Sequence, residues 1–481
     1  MTSRRHHLLP SLAAVSALLL SACASPGPAA PPPVLRDAAA LGAQGAFSSA
    51  DWPQDAWWTA FGDPALDALV QRALASQPGL AAAQARVQRA QALHAAGTAA
   101  LGPQLDLRLE ATDQRFTAKG VIPPPLAGAT GWTALAQVGA AWSPDLAGGR
   151  RAALQAAIGQ RRAAQADAQA ARVLLAGQVA AGHFRLAALL DQRRVIDAAL
   201  AQREQVAALV HERRSAGLDT EIERQQAGGL VAQARAQQAA LDEAIARARH
   251  ALAELSGQGP MALDAYAPLL AELRPLPTAS TLPADLLGRR ADLVAARWRV
   301  EAALQGVAMA RAAFYPSVDL VAFAGLSSLG LDRLLDLGAR QYGAGPALRL
   351  PLFDSGRLQA QLGAQRAEVA AAVAAYDTAL LRALREVADE LGAQRLLLRQ
   401  AAAQAEARAA AETAYGLALE RYRAGLGSYL LVLTAQSNVL AQQQAHSELK
   451  GRRLAADVAL ALALGGGYAA TPNQLPPRNP A

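Results

Sequence analysis

The stretch GRLQAQLGAQRAEVAAAVAAYDTALLRALREVADEL, at residues 356–391, decides the fold of this 481-residue chain. It has no proline and is dominated by Ala, Gln, Glu, Arg and Leu, all strong helix formers. Its apolar residues recur at an average step of about 3.7, which is the period of a helix and not of a strand. They are Val369, Val373, Tyr376, Leu380, Leu384, Val387 and Leu391. The same composition continues to residue 423, so the sequence predicts a helix of roughly 65 residues and about 100 Å.

A short turn interrupts this helix and sends the chain back. Residues 423–428 read Arg-Ala-Gly-Leu-Gly-Ser, and a second helical run follows to about residue 464. Gly425 fits the left-handed position just after a helix end, and Ser428 fits the N-cap of the next helix. The stretch therefore predicts a helical hairpin far longer than a globular core requires.

Residues 149–256 show the same pattern. A long Ala/Gln/Arg helix breaks at Ser-Ala-Gly-Leu-Asp-Thr, residues 215–220, and a helix follows to about residue 255. Here Gly217 fits the helix end, and Asp219 and Thr220 fit the N-cap. Matching features lie roughly 207 to 213 residues apart, which indicates an internal repeat. The domains predicted from these features are repeats at 52–257 and 283–466, a linker at 258–282 and a tail at 467–481.

Each repeat also contains two strand candidates before its hairpin. The first alternates apolar and charged residues: Leu105, Leu107 and Leu109 against Asp106, Arg108 and Glu110. The others are Trp132 to Trp142, Val318 to Phe323 and onward, and Tyr342 to Phe353. Each is roughly the 9 to 11 residues that a tilted strand needs to cross a bilayer. Four strands cannot close a barrel, and open edges are not tolerated in lipid, so membrane strands would require several chains to share one barrel.

The N-terminus reads as a secretory leader. Basic residues precede a short apolar run that ends in Leu-Ser-Ala-Cys at 20–23, so residues 1–22 are predicted to be a signal peptide. This box resembles that of bacterial lipoproteins, in which it directs acylation of the Cys and cleavage before it, here at Cys23. The alternative is an ordinary signal peptide with an incidental Cys. Residues 23–51, rich in Pro and Ala, read as a lipidated tether, and by the same resemblance Ala24 indicates the outer membrane.

Composition and motifs exclude several function classes. Aromatic content is 4%, and the charge of +7 is spread along helices, which does not suit a nucleic-acid protein. After the leader no uninterrupted apolar run of about 18 residues appears, which disfavours a membrane-spanning helix. The run His211-Glu212 lacks the second His of a zinc motif. We therefore expect no catalytic residues, no metal, no cofactor and no enzymatic activity.

Residues 57–90, WWTAFGDPALDALVQRALASQPGLAAAQARVQRA, and the RYRAG turn at 421–425 resemble a known family. Together with the duplication they are similar to TolC-like outer-membrane efflux factors of the NodT-like or OprM-like lipoprotein branch. The resemblance covers nearly the whole mature chain. It implies a mainly α protomer in a homotrimer, with one transmembrane twelve-stranded β-barrel continued by a long periplasmic α-helical barrel. It also implies a passive exit duct for small toxic molecules, lipid-anchored in the outer membrane, with a periplasmic adaptor and an inner-membrane pump as partners.

The resemblance places the two hairpin turns at the periplasmic tip, where they gate the duct and meet the adaptor. The candidate residues are Gly217, Asp219, Glu221, Tyr422, Gly425, Ser428 and Thr434. Thr434 stands where family members often carry Asp, so a ring of carboxylates is not expected there and cation block should be weak. Glu221 and Glu223 would supply acid nearby, or would only solvate the helix surface. We expect hydrogen bonds and apolar packing, with Tyr422 and Thr434 taking part, to hold the closed tip.

Three other functions share some of these features. One is the outer-membrane component of a type I protein secretion system, a duct of the same shape. Another is a lipidated periplasmic adaptor, which would have a lipoyl-like β domain and one hairpin instead of two. The third is a soluble coiled coil, which strict heptads would support and which the 3.7-residue period and the strands disfavour.

Overall fold

The computed structural model describes residues 26–28, 31, 34–42, 52–270, 273, 286, 288–471 and 475. The predicted signal peptide and Cys23 lie outside these residues. Seven α-helices are described: α1 Pro64–Ser76, α2 Pro78–Ala99, α3 Gly149–Ser215, α4 Glu221–Leu255, α5 Ala291–Ala312, α6 Arg357–Arg423 and α7 Tyr429–Ala463. The strands are β1 Gln104–Arg115, β2 Thr130–Trp142, β3 Ser317–Leu329 and β4 Arg340–Arg349. Four short 3-10 turns complete the described elements: Ala39–Leu41, Trp57–Phe61, Pro260–Leu263 and Leu337–Ala339.

The internal duplication is confirmed by helix lengths. The long helices α3 and α6 both have 67 residues, and the return helices α4 and α7 both have 35. The helices before each strand pair, α2 and α5, both have 22. Each half therefore runs helix, two strands, long helix, return helix, and the mainly helical fold class is confirmed.

The four strands form one antiparallel sheet in the order β1-β2-β3-β4. Leu107 pairs with Val138, Val138 with Ala324, and Ala324 with Tyr342. The third strand, predicted to run from Val318 through Phe323 and onward, continues to Leu329. The fourth ends at Arg349, so its predicted end at Phe353 is wrong. Pairing stops there because the partner strand begins at Ser317, opposite Arg349. Pro346 lies inside β4, which is tolerated because β4 is an edge strand.

The chain divides into two compact units, and each contains parts of both repeats. The first consists of Arg86–Ala164 and Ala296–Tyr376 with the N-terminal residues to Leu35. It holds the sheet and a small core in which Phe314 packs on Leu358 and Leu362.

The second unit consists of Arg36–Ala85, Gln165–Ala295 and Asp377–Ala481. Its main core is built mostly of Leu, Val and Ala with a small aromatic group, in which the Phe61 and Phe184 rings are 4.6 Å apart. A polar chain runs through this core: buried His183 lies 2.9 Å from an oxygen of Asp63 and 2.7 Å from the Tyr266 hydroxyl. The His183 hydrogen bond is the main cause that lowers the pKa of Asp63, which also caps α1 by accepting from the Ala65 N–H.

A run of three glycines follows α7 in the second unit. Gly465, Gly466 and Gly467 all have positive φ and directly follow the helix end that the sequence predicts at about residue 464. Their lack of a side chain is required, because a Cβ on Gly465 would lie 1.8 Å from the carbonyl oxygen of Arg289.

One helix of the described residues differs from the sequence expectation about membrane spans. By length and composition α3 contains an 18-residue window apolar enough to cross a bilayer, with a mean hydropathy of 1.5. Half of that window is buried inside the protein, and α3 supplies Val179, Phe184 and Leu186 to the core of the second unit. Packing within the protein therefore accounts for its apolar character.

Candidate functional site

The two hairpin turns have the same backbone geometry. The N–H of Leu218 donates to the Arg213 carbonyl at 2.9 Å, and the N–H of Leu426 donates to the Arg421 carbonyl at 2.8 Å. Gly217 and Gly425 lie between them with φ of 76° and 75°. This is the Schellman arrangement, in which a left-handed glycine satisfies the last carbonyls of a helix. The left-handed helix ends predicted at these two glycines are confirmed.

The start of the return helix differs between the two turns. Thr220 caps α4 through a capping box: its hydroxyl accepts from the Ile222 N–H, and Glu223 accepts from the Thr220 N–H at 2.8 Å. Ser428 occupies the N-cap of α7, but its side chain makes no capping hydrogen bond. The predicted cap is therefore correct for Thr220 and wrong for the Ser428 side chain.

Asp219 does not cap a helix, because its carboxylate joins the first turn to the second hairpin. The Tyr422 hydroxyl donates to Asp219 Oδ2 at 2.5 Å, and Arg213 Nε lies 3.2 Å from the same oxygen. The Arg213 guanidinium also sits 4.6 Å from the centre of the Tyr422 ring, within cation–π range. We call this set, Arg213, Asp219 and Tyr422, the tip triad. It connects α3, the first turn and the last turn of α6.

The tip triad lies against an apolar cluster shared by both hairpins. Tyr422 is 1% exposed, and its ring is 5.6 Å from that of Tyr429. The cluster contains Val206, Val210, Ala227, Ala411, Tyr415, Ala418, Tyr422, Tyr429, Val432 and Val439. Burial, followed by the hydrogen bond to Asp219, raises the pKa of Tyr422, and burial raises that of Tyr429 to about 12. Both phenols are therefore neutral at physiological pH, as a hydrogen-bond donor must be.

Thr434 lies on the exposed surface of α7, in the second turn of the helix. Its hydroxyl donates to the Leu430 carbonyl of the same helix at 2.9 Å, so it does not connect the two hairpins within the described protomer. Together with Ser437 and Leu433 it lines an open groove of about 530 Å³ whose other wall is Gln226, Gly229 and Leu230 of α4. This surface of α7 presents a hydroxyl and exposed leucines, Leu430 and Leu431, in place of a carboxylate.

The two glutamates considered as alternative acids form local pairs. Glu221 accepts from the Arg224 guanidinium and also lies 3.0 Å from Arg214 Nε. Its hydrogen bond with Arg224 is the main cause that lowers the pKa of Glu221 to about 2. Glu223 is occupied by the capping box. Both side chains are ionised and paired locally along the helix surface.

One face of the sheet is mainly apolar; the opposite face, here called the polar face, carries polar residues together with Leu135, Val321 and Phe323. Leu105, Leu107 and Leu109 lie on the same face as Val138 and Ala324. On this face Trp132 stands at the end near the strand-connecting loops and Trp142 at the end near the helices, ten residues apart or about 33 Å of strand. A tilted strand of that length spans the apolar band of about 25 Å that outer-membrane barrels show between aromatic girdles.

The polar face carries a hydrogen-bonded row across the four strands. Arg108, Gln137, Gly325 and Gln341 are in register, and Gln341 donates to the Gln137 side chain at 2.9 Å. Gly325 leaves the space for this contact, since a Cβ there would lie 2.2 Å from the Ala136 carbonyl oxygen. Arg108 pairs with Glu110 on the same face at 2.7 Å. This face suits contact with water, and the opposite face suits contact with lipid.

Within the described residues no group of three or more His, Cys, Asp or Glu side chains could hold a metal ion.

Comparison with known proteins agrees with this geometry. The family model described as outer membrane efflux protein matches residues 69–258 and 282–466, which is most of the chain. The chain belongs to the outer membrane efflux protein family. The two matched segments each contain one strand pair and one helical hairpin, so the family model covers both the sheet and the tip triad.

Named relatives of this efflux protein are resistance proteins. The fusaric acid resistance protein FusA of Burkholderia cepacia is 37% identical over 363 residues, 73% of this chain and 68% of FusA. The multidrug resistance outer membrane protein MdtP of Escherichia coli K12 is 35% identical over 443 residues, 89% of each chain. The crystal structure of the outer membrane protein VceC of Vibrio cholerae superposes with a TM-score of 0.82 at 35% identity, covering 87% of this chain and 100% of VceC.

Sequence reasoning missed one member of the tip triad of this efflux protein. Arg213 is not among the residues predicted for the tip, although the internal repeat places it at the position equivalent to Arg421 of the second turn. The signal that could have identified Arg213 is its position four residues before Gly217, which has a positive φ. Ser428 and Thr434, which were singled out, are not joined to the triad by any contact among the described residues.

Proposed function

We propose that three copies of this efflux protein form a passive exit duct in the outer membrane, anchored by lipid at Cys23. The observation that carries the proposal is the four-stranded sheet with one apolar face. Its outer strands, β1 and β4, have unpaired edges in the protomer. Such edges are not tolerated in lipid, and eight strands are the smallest barrel. Three copies would give twelve strands with every edge paired, the apolar faces outward and the Gln137–Gln341 row inward.

The duct would be closed at the periplasmic tip by the tip triad in each protomer. The triad joins the two hairpins through a carboxylate that both Tyr422 and Arg213 contact. Moving one hairpin away from the other would separate Tyr422 from Asp219 and expose the apolar cluster behind them. The hypothesis that Tyr422 helps to hold the closed tip is supported by these contacts. Thr434 would instead line the passage, as a neutral group.

The partners would be a periplasmic adaptor that meets the two turns and an inner-membrane pump that supplies energy. Because the chain belongs to the outer membrane efflux protein family, we propose a passive channel without enzymatic activity. Relatives are named for resistance to fusaric acid and to multiple drugs. We therefore propose small toxic organic compounds as the cargo of this duct.

The proposal is tested on the detergent-extracted full chain. Native mass spectrometry should give a trimer, and addition of the protein to planar bilayers should give single-channel currents. A monomer, or bilayers that remain without current, would contradict the duct. Cargo is tested separately by deleting the gene and measuring growth with graded toxic compounds. Sensitivity of the deletion strain that the wild-type gene reverses, with the amount of secreted protein unchanged, supports small-molecule export over protein secretion.

A further inference from the structure

The two hairpins correspond residue by residue. Their outgoing helices end at Ser215 and Arg423, and the left-handed glycines of their turns are Gly217 and Gly425. Each residue of the first hairpin therefore corresponds to the residue 208 positions later in the second. Because equivalent helices have equal lengths, the contacts of one hairpin can be compared position by position with those of the other.

The return helix of the second hairpin covers one side of the outgoing helix of the first. The Ser447 hydroxyl of α7 donates to the Asp191 carboxylate of α3 at 2.5 Å. One turn further along α7, Gly451 lies so close to α3 that a Cβ on it would be 2.8 Å from the Ala188 side chain. We call this contact the α3–α7 seam. It buries Ala188, Ser447 and Gly451.

The equivalent side of α6 is open in the protomer. Ala188 and Asp191 correspond to Leu396 and Arg399, and Leu396 is 65% exposed. Arg399 is exposed as well, and it has no ion pair among the described residues. Residues seven apart lie on one side of a supercoiled helix, and from Leu396 these steps reach further exposed apolar residues: Ala403, Ala410 and Leu417. α6 therefore carries an uncovered apolar stripe with an arginine beside it.

The matching side of α4 is open too. Ser447 and Gly451 correspond to Ala239 and Glu243, and both of these are exposed. Within the described protomer Glu243 pairs with Arg247 of its own helix, and its side chain remains 63% exposed. A groove of about 370 Å³ lies beside Glu243, and its α4 wall contains Ala240, Ala244, Ala248 and Ala251. α4 therefore offers a groove lined by small apolar side chains with a carboxylate beside it.

The correspondence also matches opposite charges farther from the turns. Gly177 of α3 contacts Leu462 of α7, and the equivalent residues are Arg385 of α6 and Glu254 of α4. At both levels α6 presents an arginine and α4 presents a glutamate. Opposite charges that flank an apolar stripe set partner choice and orientation between helices, so charge complementarity favours α4 as the partner of α6.

We infer that α6 of one copy packs against α4 of the next copy, and that Arg399 pairs there with Glu243 of the next copy. We call this contact the copy–copy seam; it rests on the proposed association of three copies. Leu396 would enter the alanine-lined groove. Leu396 and Glu243 are larger than Ala188 and Gly451, so the copy–copy seam is wider than the α3–α7 seam, and the ion pair spans the added gap.

The order of the helices allows this contact to close into a ring. α3 contacts α4 on one side and α7 on the other, and α7 also contacts α6, so α4 and α6 are the ends of the row. A contact between two different surfaces of identical copies forms a ring when the rotation closes. β1 and β4 are likewise the two edges of the sheet.

Cross-linking of the full chain tests the position of the copy–copy seam. A short bis-maleimide, which bridges a wider gap than a disulfide, is added to detergent-extracted Leu396→Cys/Glu243→Cys. We expect covalent dimers and trimers on a denaturing gel. The control Leu398→Cys/Glu243→Cys changes another exposed leucine, about 200° around α6, and should stay mainly monomeric. The unaltered chain, in which Cys23 is the only cysteine, controls for reaction at that residue.

Charge reversal tests the ion pair. Arg399→Glu and Glu243→Arg each place like charges across the seam, and each should raise the dissociation constant of the trimer about tenfold, because three seams change at once. Arg399→Glu/Glu243→Arg should return to within about threefold of the wild type. Glu243→Arg also breaks the pair with Arg247, which Arg399→Glu cannot repair, so recovery identifies the contact between copies. Sedimentation in neutral detergent measures the trimer fraction on dilution.

Two results would overturn the inference. One is a trimer in native mass spectrometry whose Leu396→Cys/Glu243→Cys variant cross-links no better than the control. The other is a double reversal that dissociates as readily as the single reversals, and this result decides the matter if the cysteine variant fails to assemble. Either leaves the three-copy duct standing with a different contact between copies, whereas a monomeric wild type contradicts the duct itself.

Discussion

Replacing Tyr422 with phenylalanine removes one hydroxyl and leaves the rest of the tip triad in place. The ring keeps its position in the apolar cluster and its 4.6 Å contact with the Arg213 guanidinium. What is lost is the 2.5 Å hydrogen bond to the Asp219 carboxylate. The variant therefore isolates the hydrogen bond that, among the described residues, joins the last turn of α6 to the first turn.

The magnitude follows from the type of bond. A hydrogen bond to a charged group contributes about 1.5–3 kcal/mol, and the Asp219 side chain is only 7% exposed, so water replaces the lost donor poorly. We take about 2 kcal/mol per protomer, which is a factor of about 30 in the equilibrium between closed and open tips. If three protomers open together, the effects multiply.

Single-channel recording in planar bilayers measures this equilibrium. Wild-type channels should show low conductance with rare openings. Tyr422→Phe channels should open more often and for longer, with a higher mean conductance. Asp219→Asn should act in the same direction, because a neutral amide also weakens the contact with Arg213.

Tyr429→Phe is the matched control for this experiment. It makes the same chemical change 5.6 Å away in the same apolar cluster, at a hydroxyl for which the described residues show no hydrogen bond. It should leave conductance unchanged. Wild-type behaviour of Tyr422→Phe, or equal opening by Tyr429→Phe, would refute the reasoning that this hydrogen bond holds the tip closed.

Three further changes test other features. Thr434→Asp should place a carboxylate on the exposed surface of α7, so multivalent cations, which block the wild-type channel only weakly, should block the variant strongly. If block by these cations does not increase, residue 434 is not in the passage. Gly465→Ala should lower the melting temperature strongly, because residue 465 has a φ of 97° and its Cβ would lie 1.8 Å from the Arg289 carbonyl oxygen. The control Gly363→Ala, at a helical glycine with open space around it, should leave the melting temperature unchanged. Thr220→Ala should destabilise the start of α4 by about 1 kcal/mol through loss of the capping box, read as faster hydrogen exchange in its first turn, with Thr413→Ala as an exposed control within a helix.

The long helices and their duplication were predictable because local composition decides them. A run of about 65 residues without proline and with a steady apolar period has no competing structure. The left-handed glycines were equally local, since both turns need a residue that tolerates positive φ. The strand ends were less predictable: β4 ends where its partner strand begins, and that depends on pairing between distant segments of chain.

The contacts of the candidate site were mostly out of reach of the sequence. Asp219 fits an N-cap by local rules, but Thr220 takes that role, and Asp219 pairs with a tyrosine 203 residues away. Thr434 was read from its place in a family pattern, which fixes no hydrogen-bond partner, and its hydroxyl bonds within its own helix. Arg311 and Arg366, from two distant helices, both donate to the Pro28 carbonyl, and the three segments share no sequence pattern from which this contact could be predicted.

The matched helix lengths restrict how the two helical hairpins of this protein can become longer or shorter. Each outgoing helix has 67 residues and each return helix has 35, and the two turns meet through Tyr422 and Asp219. Deleting two helical turns from one hairpin alone would displace its turn by about 10 Å along the axis and separate those side chains. Relatives whose hairpins are shorter or longer must therefore have lost or gained residues in both hairpins at once. In such relatives, insertions and deletions should occur in pairs about half a chain apart in the sequence.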